Sequence, residues 1–372
     1  MPSLANQTSL QRSPLKFPER HHMPIRIWAY LAALVAVGCS SKPAPAPPKG
    51  QIVVALTIDW EGAYLSPDGL DALDEFRRAL GSAPSAPATP SAPAAPSAPL
   101  GPPVPLTHFI SAAYFTKDHP DPKVVATITQ AVQSGDELAL HLHAWRSLAK
   151  ASGIEPKLSP SFLTGTDKLL EFEDGDVGFD VDLDAYTVPE LRALVRTSRR
   201  LLEQTKIRIS KTFRAGGYLG TPKVLQAIRE EGFVADCSAA DYRQLDELKN
   251  EVLPKRIKEI WPSVDTTSQP WLVDARGGSL LEMPIAAFAD YATADEMVAV
   301  FEAAHARLRK EPGRDVFVVL GFHQETANDF SGRLKEAIQK VRGRPELADG
   351  LVFTTVESAA ERARSAVTPA LK

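Results

Sequence analysis

The chain has 372 residues, of which 44% are hydrophobic and 24% are charged, and its formal net charge at pH 7 is -4. This apolar content is enough to bury the core of one large domain or of two small ones. The acidic balance supplies no excess of cations to neutralise phosphates, so nucleic acid is not an expected partner. Two cysteines, Cys39 and Cys237, are too few for a disulfide framework.

The first fifty residues are typical of an exported protein. Residues 1–22 are polar and patternless, and we interpret them as an uncertain or untranslated leader. An apolar run at 27–37 is too short to span a bilayer but suits the core of a signal peptide over 23–39. The end of that run resembles a bacterial lipoprotein cleavage site at Cys39, and the Pro- and Ala-rich residues 40–50 would form its tether. We expect a lipid anchor in the bacterial cell envelope, with the outer membrane favoured; an ordinary buried segment is the alternative.

The first predicted strand is the near-continuous apolar run Ile52–Ile58, which is rich in β-branched residues, as a buried parallel strand should be. Asp59, Trp60 and Glu61 follow it directly. Carboxylates at the end of a buried strand are costly unless they are paired, hydrated or bound to metal, so this placement indicates a functional site. A helix cap or a turn is the alternative interpretation.

A second proline-rich stretch occupies residues 81–105, with proline at every third position from 84 to 105. A polyproline II helix has three residues per turn, so these prolines would line one edge of an extended, solvated rod. A helix at 68–80 precedes the stretch and a strand at 106–110 follows it, as successive parts of one β/α repeat. We therefore predict an insertion in a surface loop of a single catalytic domain, residues 51–365.

The pattern His-x-His lies in Glu137–Trp145, which follows a turn signal and matches a short buried strand running into a loop. Side chains alternate along a strand, so His141 and His143 would share one face. Two imidazoles at a strand end favour a metal site. A hydrogen-bonded pair of histidines at a strand edge is the alternative.

The segment from 147 to 186 has no clear periodicity and carries a run of seven acidic residues between 171 and 184. We predict a solvated acidic loop there, because the run lacks the ordered spacing of a calcium-binding loop. The seven are Glu171, Glu173, Asp174, Asp176, Asp180, Asp182 and Asp184.

Strands and helices alternate in the rest of the chain. Further helices are predicted at 123–134, 187–202, 221–232 and 295–310, and a final polar helix is predicted after 354. Further strands are predicted at 211–213, 233–235, 279–283, 315–320 and 351–354. Polar residues that suit catalysis follow successive strands: Asp59, Glu61, His141, His143, Arg214, Asp236, Glu282 and His323. This order predicts an α/β fold, an irregular (β/α) barrel of about seven strands, with its chemistry at the C-terminal ends of the strands.

These residues, in this order, resemble the polysaccharide deacetylase family (the NodB homology domain) over about 51–360, apart from the proline insertion and the acidic segment. Thr57–Gly62 stands in place of the family motif T-F-D-D-G, with Trp60 at its second aspartate and Glu61 next to it. In the family motif H-S/T-x-x-H, His141 matches the first histidine, Trp145 stands at the second, and His143 lies between them. Arg214–Tyr218 approximates R-x-P-x-G, and Phe317–His323 resembles the last motif.

The resemblance implies a deacetylase-type barrel and a metal-dependent hydrolase that removes N-acetyl groups from an envelope or extracellular polysaccharide. Its cofactor would be a divalent metal, with zinc favoured, held by His141, His143 and a carboxylate from Asp59 or Glu61. Asp59 would be the catalytic base, and His323 the general acid.

Further roles in the site follow from this mechanism. Arg214 would orient a carboxylate, and either Asp236 or Glu282 would hold His323 in its tautomer. The groups expected near the substrate are Trp60, Trp145, Tyr218 and Glu282; the three aromatic rings would stack on sugars, or else pack in the core. Two other functions stay open: a glycan-binding lipoprotein without activity, and a hydrolase of small cyclic amides.

Overall fold

The computed structural model of the protein describes residues 50–81, 104–245 and 251–367. The predicted signal peptide, Cys39, the tether and nearly all of the proline-rich insertion lie outside these ranges. Within them the chain forms ten β-strands and ten α-helices. No helix in these ranges is both long enough and apolar enough to cross a membrane.

The strands are β1 (Ile52–Trp60), β2 (Leu106–Ser111), β3 (Glu137–Leu142), β4 (Thr212–Ala215), β5 (Ala235–Asp236), β6 (Trp271–Asp274), β7 (Ser279–Glu282), β8 (Ala287–Phe288), β9 (Val316–His323) and β10 (Leu351–Thr354). The helices are α1 (Pro67–Leu80), α2 (Val124–Ala131), α3 (Arg146–Ala151), α4 (Val188–Gln204), α5 (Pro222–Glu230), α6 (Val252–Ile260), α7 (Ala294–Lys310), α8 (Ala327–Arg342), α9 (Pro345–Ala348) and α10 (Val356–Val367).

Strand β1 lies at the centre of the sheet, and all nine of its residues are buried. It pairs in parallel with β9 along most of its length, with β2 over its second half and with β10 over its first half. A strand with parallel neighbours on both edges and helices over the sheet is apolar on both faces, which explains its uninterrupted hydrophobic sequence. The strand continues two residues beyond the predicted Ile58, through Asp59 to Trp60.

The sheet curls into the predicted (β/α) barrel. Its strand order is β6-β7-β5-β4-β3-β2-β1-β9-β8. The chain between β7 and β8 crosses from the strands beside β5 to β9 and so closes the barrel. The Ile285 N–H donates to Ala239 O, just after β5, and the Ala286 N–H donates to Val319 O of β9, both at 2.8 Å. One interior is thus surrounded by β1 to β5, the β7–β8 segment and β9. Strand β6 pairs antiparallel to β7 and lies outside this ring of strands.

Helices cover the outside of the barrel and begin where the sequence has capping residues. Thr187 and Glu190 form a capping box at the start of α4, and Thr293 and Glu296 form another at the start of α7. Four helices, α3, α6, α8 and α9, were not among the predicted elements. Of these, α8 has a detectable apolar stripe, because Leu334, Ile338 and Val341 recur at helical spacing and are buried.

The acidic segment packs against the barrel, so the prediction of a solvated loop is wrong for three of its residues. Asp176, Asp180 and Asp182 are buried. They accept hydrogen bonds from the Lys117 ammonium at 3.0 Å, the Ser161 hydroxyl, and the Arg256 guanidinium at 2.7 Å, respectively. Each carboxylate has its own partner, which compensates the cost of its burial and holds the segment over one end of the barrel.

Candidate metal centre and catalytic cleft

Strand register brings the predicted site residues to one end of the barrel. On neighbouring strands, Asp59 of β1 lies beside His323 of β9, and His141 of β3 lies beside Arg214 of β4. Because the strands are parallel, their carboxyl ends meet at the same level, where loops can form a pocket.

His141 and His143 project to the same side, as the alternation of side chains predicts, and their Nε2 atoms are 3.1 Å apart. The Nδ1 atom of His141 lies 3.0 Å from the Arg214 carbonyl oxygen, and that of His143 lies 2.6 Å from the Phe179 carbonyl oxygen. A carbonyl oxygen only accepts, so each Nδ1 carries the proton and donates it. In the neutral rings, both Nε2 lone pairs therefore point into the same space.

Glu61 supplies the carboxylate at these two rings. Its Oε2 atom lies 2.6 Å from the Nε2 of His143 and 3.3 Å from that of His141. Burial alone would raise the pKa of Glu61, but the two histidines beside it hold its pKa well below the usual range. Side chains alternate along β1, so Trp60 points to the opposite side of the sheet from Asp59, and Glu61 points to the same side as Asp59. This alternation explains why Glu61, and not Trp60, faces the histidines.

The donor set suits a divalent cation. One ligand atom each from Glu61, His141 and His143 lies within 4.8 Å of the others, and all three residues are buried. Two imidazole lone pairs and a carboxylate converging on one point repel each other unless a proton or a cation lies between them. Two histidines and one glutamate form a ligand set used by catalytic zinc sites. Of the two carboxylates predicted as ligands, the geometry favours Glu61.

Asp59 pairs with Arg214 in the barrel interior. The Nη1 of Arg214 donates to Oδ1 of Asp59 at 2.5 Å and to the Thr57 hydroxyl at 3.0 Å, and its guanidinium lies over the Phe109 ring. Burial would lower the pKa of Arg214, yet the charge of Asp59 raises it, so the pair is ionic. The Oδ2 of Asp59 is buried and has no hydrogen-bond partner among the described residues, which leaves it available to a substrate or a water.

His323 is held by Asp290, which corrects the prediction that Asp236 or Glu282 would hold it. The Nδ1 of His323 lies 3.0 Å from Asp290 Oδ1, and its Nε2 lies 3.3 Å from Glu61 Oε1. Burial would lower the pKa of His323, but the adjacent carboxylate of Asp290, with further help from Glu61, raises it to about 10. The ring is therefore an imidazolium at neutral pH, a form that can give up a proton.

Asp236 and Glu282 lie beside each other on β5 and β7 and are fully buried. Asp236 accepts from the Ser238 hydroxyl at 2.7 Å, and Glu282 accepts from the backbone N–H of Ala239 at 2.9 Å. Burial raises the pKa of Asp236 to about 6, and burial with the charge of Asp236 raises the pKa of Glu282 well above its usual range. The two carboxyls contact each other and residues 238–239, and their predicted roles, catalysis for Asp236 and substrate contact for Glu282, stay predictions.

The predicted stacking residues are part of the packed interior. Trp60 and Trp145 have no exposed surface, and Tyr218 is 4% exposed, so no ring face is open to a sugar. The indole N–H of Trp60 donates to His108, and that of Trp145 donates to the Glu61 carbonyl oxygen at 3.0 Å. Trp145 thus supports the backbone of Glu61, and its alternative reading as a core residue is the correct one.

A cleft of about 340 Å³ opens onto Glu61 and His323. Its walls are largely aromatic and come from four separate parts of the chain. They are formed by Tyr64, Phe172, Phe179, Tyr291 and Phe330, together with the polar residues Asp290, Glu325 and Thr326.

Sequence reasoning missed three members of this site: Phe179, Asp290 and Glu325. Phe179 acts through its carbonyl oxygen, so no side-chain pattern could have shown it. Asp290 follows β8, a strand of two residues that is too short to show a period. Glu325 lies two residues beyond His323 at the end of β9, where the rule that polar residues gather at strand ends could have found it.

Comparisons with known proteins find similarity among solved structures alone. No protein-family model matches the sequence, and no curated protein matches it. Among solved structures, a protein assigned as a polysaccharide deacetylase from Mycobacterium smegmatis has 16% identity and a TM-score of 0.46, covering 87% of this chain and 96% of its own. The family 4 carbohydrate esterase from Streptomyces lividans in complex with acetate has 11% identity and a TM-score of 0.38, over 86% and 98%.

PuuE allantoinase is similar to a comparable degree, with 14% identity and a TM-score of 0.45, covering 86% of this chain and 95% of its own. The solved structures that resemble this chain thus include polysaccharide deacetylases, the family whose motifs the sequence resembles. At these identities and TM-scores the likeness does not assign a reaction, which depends on the side chains of the site.

Proposed function

We propose that this protein is a metal-dependent hydrolase that removes N-acetyl groups from a polysaccharide. The observation that carries the proposal is the convergence of Glu61, His141 and His143, with both histidine Nδ1 atoms already bound to carbonyl oxygens. These three residues would hold a divalent ion, with zinc favoured. When bound, such an ion supplies Lewis-acid polarisation of a carbonyl oxygen and lowers the pKa of a water molecule.

Asp59 and His323 supply the proton transfers in the proposed reaction. The free Oδ2 of Asp59 accepts a proton from the attacking water, while Arg214 holds Oδ1 and keeps the carboxylate oriented. Water adds to the acetyl carbon, and the C–N bond then breaks. The imidazolium of His323 donates its proton to the departing nitrogen, so that the products are acetate and an amine.

The shape of the cleft favours a glycan over a small cyclic amide. A second cleft of about 550 Å³ shares Tyr64 and Phe172 with the catalytic cleft, so space for further sugar units adjoins the reacting group. Tyr64 is 57% exposed at their boundary and offers a ring face to a sugar. We propose that the substrate is a polysaccharide or oligosaccharide of the cell envelope, which a lipid anchor on Cys39 would place within reach.

The test uses the chain without residues 1–50, as the wild type and as the double variant His141→Ala, His143→Ala. Metal content is measured by elemental analysis, and acetate release is measured with chitin oligosaccharides and peptidoglycan. We expect about one metal ion per chain and acetate release in the wild type, with both lost in the variant. A protein that binds no divalent metal and releases no acetate would instead be a glycan-binding lipoprotein; metal without acetate would favour other amides.

A further inference from the structure

Glu325 is the one polar residue of the described catalytic cleft to which the proposed mechanism gives no task and which keeps a free side-chain oxygen. It lies just past the end of β9, two residues beyond His323, and lines the cleft together with Glu61. The other polar groups of the cleft wall are engaged: Asp290 holds His323, and the Thr326 hydroxyl donates to Asp290 at 2.6 Å.

The Glu325 carboxyl is fixed in place through one of its oxygens. Its Oε1 atom accepts the backbone N–H of Glu61 at 3.0 Å and the phenolic hydroxyl of Tyr114 at 2.8 Å. Two donors from different elements leave the side chain little rotational freedom, so the direction of the second oxygen is set by the fold. Such a pre-oriented group loses little rotational freedom when it meets a ligand.

The second oxygen, Oε2, is inaccessible to solvent and has no hydrogen-bond partner among the described residues. Burial of a polar atom without a partner is costly, and native structures hold few such atoms without a reason. The cleft that Glu325 lines is otherwise walled largely by aromatic residues, among them Tyr64, Phe172 and Phe330. A ligand in the cleft is therefore the natural source of the missing hydrogen bond.

We propose that Glu325 is a substrate-binding residue whose Oε2 forms a hydrogen bond with a hydroxyl or amide group of the sugar that carries the acetyl group. The inference rests on the proposed function, since it assumes that a saccharide occupies the cleft. It adds a determinant of specificity to that function: a polar group of the sugar, beside the reacting amide, is recognised by Glu325. Tyr114, which donates to Oε1 and also lines the second cleft, is then a positioning residue for Glu325.

The test compares two probes on the metal-loaded protein with Glu325→Met. Triacetylchitotriose carries hydroxyl and amide groups, whereas p-nitrophenyl acetate has an acetyl group but no N–H or O–H. We expect KM for triacetylchitotriose to rise about 10- to 100-fold, and kcat/KM for p-nitrophenyl acetate to fall by a much smaller factor, because only the first probe offers a polar group to Oε2. Tyr114→Phe should change the triacetylchitotriose KM in the same direction by less. Glu155→Met, the same replacement at an exposed glutamate outside the cleft, should change neither probe.

An equal loss of kcat/KM for both probes, or a loss of bound metal, would overturn the inference, because Glu325 would then act on the catalytic centre itself. Unchanged kinetics on both probes would overturn it as well. Calorimetric titration with triacetylchitotriose separates the inference from the proposed function. If the wild type binds this probe without hydrolysing it, and Glu325→Met binds it at least tenfold more weakly, the contact stands while the deacetylase proposal falls. If the wild type neither binds nor hydrolyses it, both fall.

Discussion

At the scale of single residues, the geometry of the candidate metal centre depends on close packing around His143. Gly216 approaches the imidazole so closely that a Cβ at this position would lie 2.5 Å from the ring atoms Cε1 and Nδ1. On the other side of the ring, Phe179 stacks nearly parallel to it, with ring centroids 4.3 Å apart. Gly216 and Phe179 therefore restrict the position of the His143 ring and fix the direction of its Nε2.

Replacing Gly216 with alanine should displace the His143 ring, because the added methyl group would overlap it. We expect zinc affinity to fall about 10- to 100-fold, the range found when supporting groups of a metal site are disturbed. Competition with a chromogenic chelator measures this change. Gly332→Ala is the matched control: its Cβ would meet open space on α8, and its zinc affinity should equal that of wild type. Equal affinity for both variants would show that the contact does not position the ring.

Replacing Asp290 with asparagine removes the charge that raises the pKa of His323 to about 10. The pKa of His323 then falls, and the proton-donating imidazolium disappears at lower pH. We expect the high-pH limb of the kcat profile to move by about one unit or more towards acid, with a lower kcat at pH 8. Acetate release measured from pH 5 to 10 checks this. A profile that matches wild type, as we expect for the exposed Asp329→Asn, would contradict the role of Asp290.

At the scale of elements, Asp136 joins the parts of the chain that meet at the start of β3. It accepts the backbone N–H of Leu106, the first residue of β2, at 2.9 Å, and that of Gln133 at 2.8 Å. It also pairs with the guanidinium of Arg77 on α1 and lies 3.4 Å from His108. One carboxylate thus connects α1, β2 and the turn before β3, at the N-terminal end of β3, opposite the end that carries the catalytic cleft.

This arrangement makes stability depend on pH. Burial would raise the pKa of Asp136, but hydrogen bonds from His108 and Arg77 lower it to about 2. The stabilisation is therefore complete above the ordinary pKa of about 4 and is lost as pH falls from 4 to 2. Asp136→Asn should lower the unfolding free energy at pH 7 by about 2 kcal/mol and flatten its dependence on pH between 4 and 2. Urea denaturation across this range tests the prediction, with the exposed Asp71→Asn as the control.

At the scale of the whole molecule, the proposed function needs the barrel to be held near an envelope glycan. The barrel begins at β1, immediately after the predicted tether. A chain anchored at Cys39 would leave about ten residues between lipid and barrel, which can span up to about 35 Å when extended. That reach would keep the barrel close to the membrane surface.

Cys39→Ala in the full-length chain should abolish lipid attachment and move the protein from the membrane fraction to the soluble periplasmic fraction of a bacterial host. Fractionation and mass spectrometry of the mature N-terminus measure both effects. Cys237→Ala provides the comparison, because this cysteine is buried in the barrel and should leave attachment unchanged. A Cys39→Ala protein that stays in the membrane fraction would mean that another segment retains it.

Much of the fold could be predicted from the sequence because its signals are local. The apolar run of β1, the caps of α4 and α7, and the shared face of His141 and His143 each follow from the period of a strand or the chemistry of a helix start. The order of strands and polar residues was enough to predict a barrel with its site at the strand ends, and a resemblance to polysaccharide deacetylases.

Only the tertiary structure decided which side chains meet. Asp290 rather than Asp236 or Glu282 holds His323, because the chain between β7 and β8 crosses to β9 and brings Asp290 with it. Long-range packing also decided that the side chains of Trp60 and Trp145 lie in the interior and not in the cleft. Contacts between residues far apart in sequence depend on strand register and loop path, which no local pattern encodes. The sequence alone thus determined most of the strands and the end of the barrel at which the site lies. Long-range packing decided which side chains contact one another in the site.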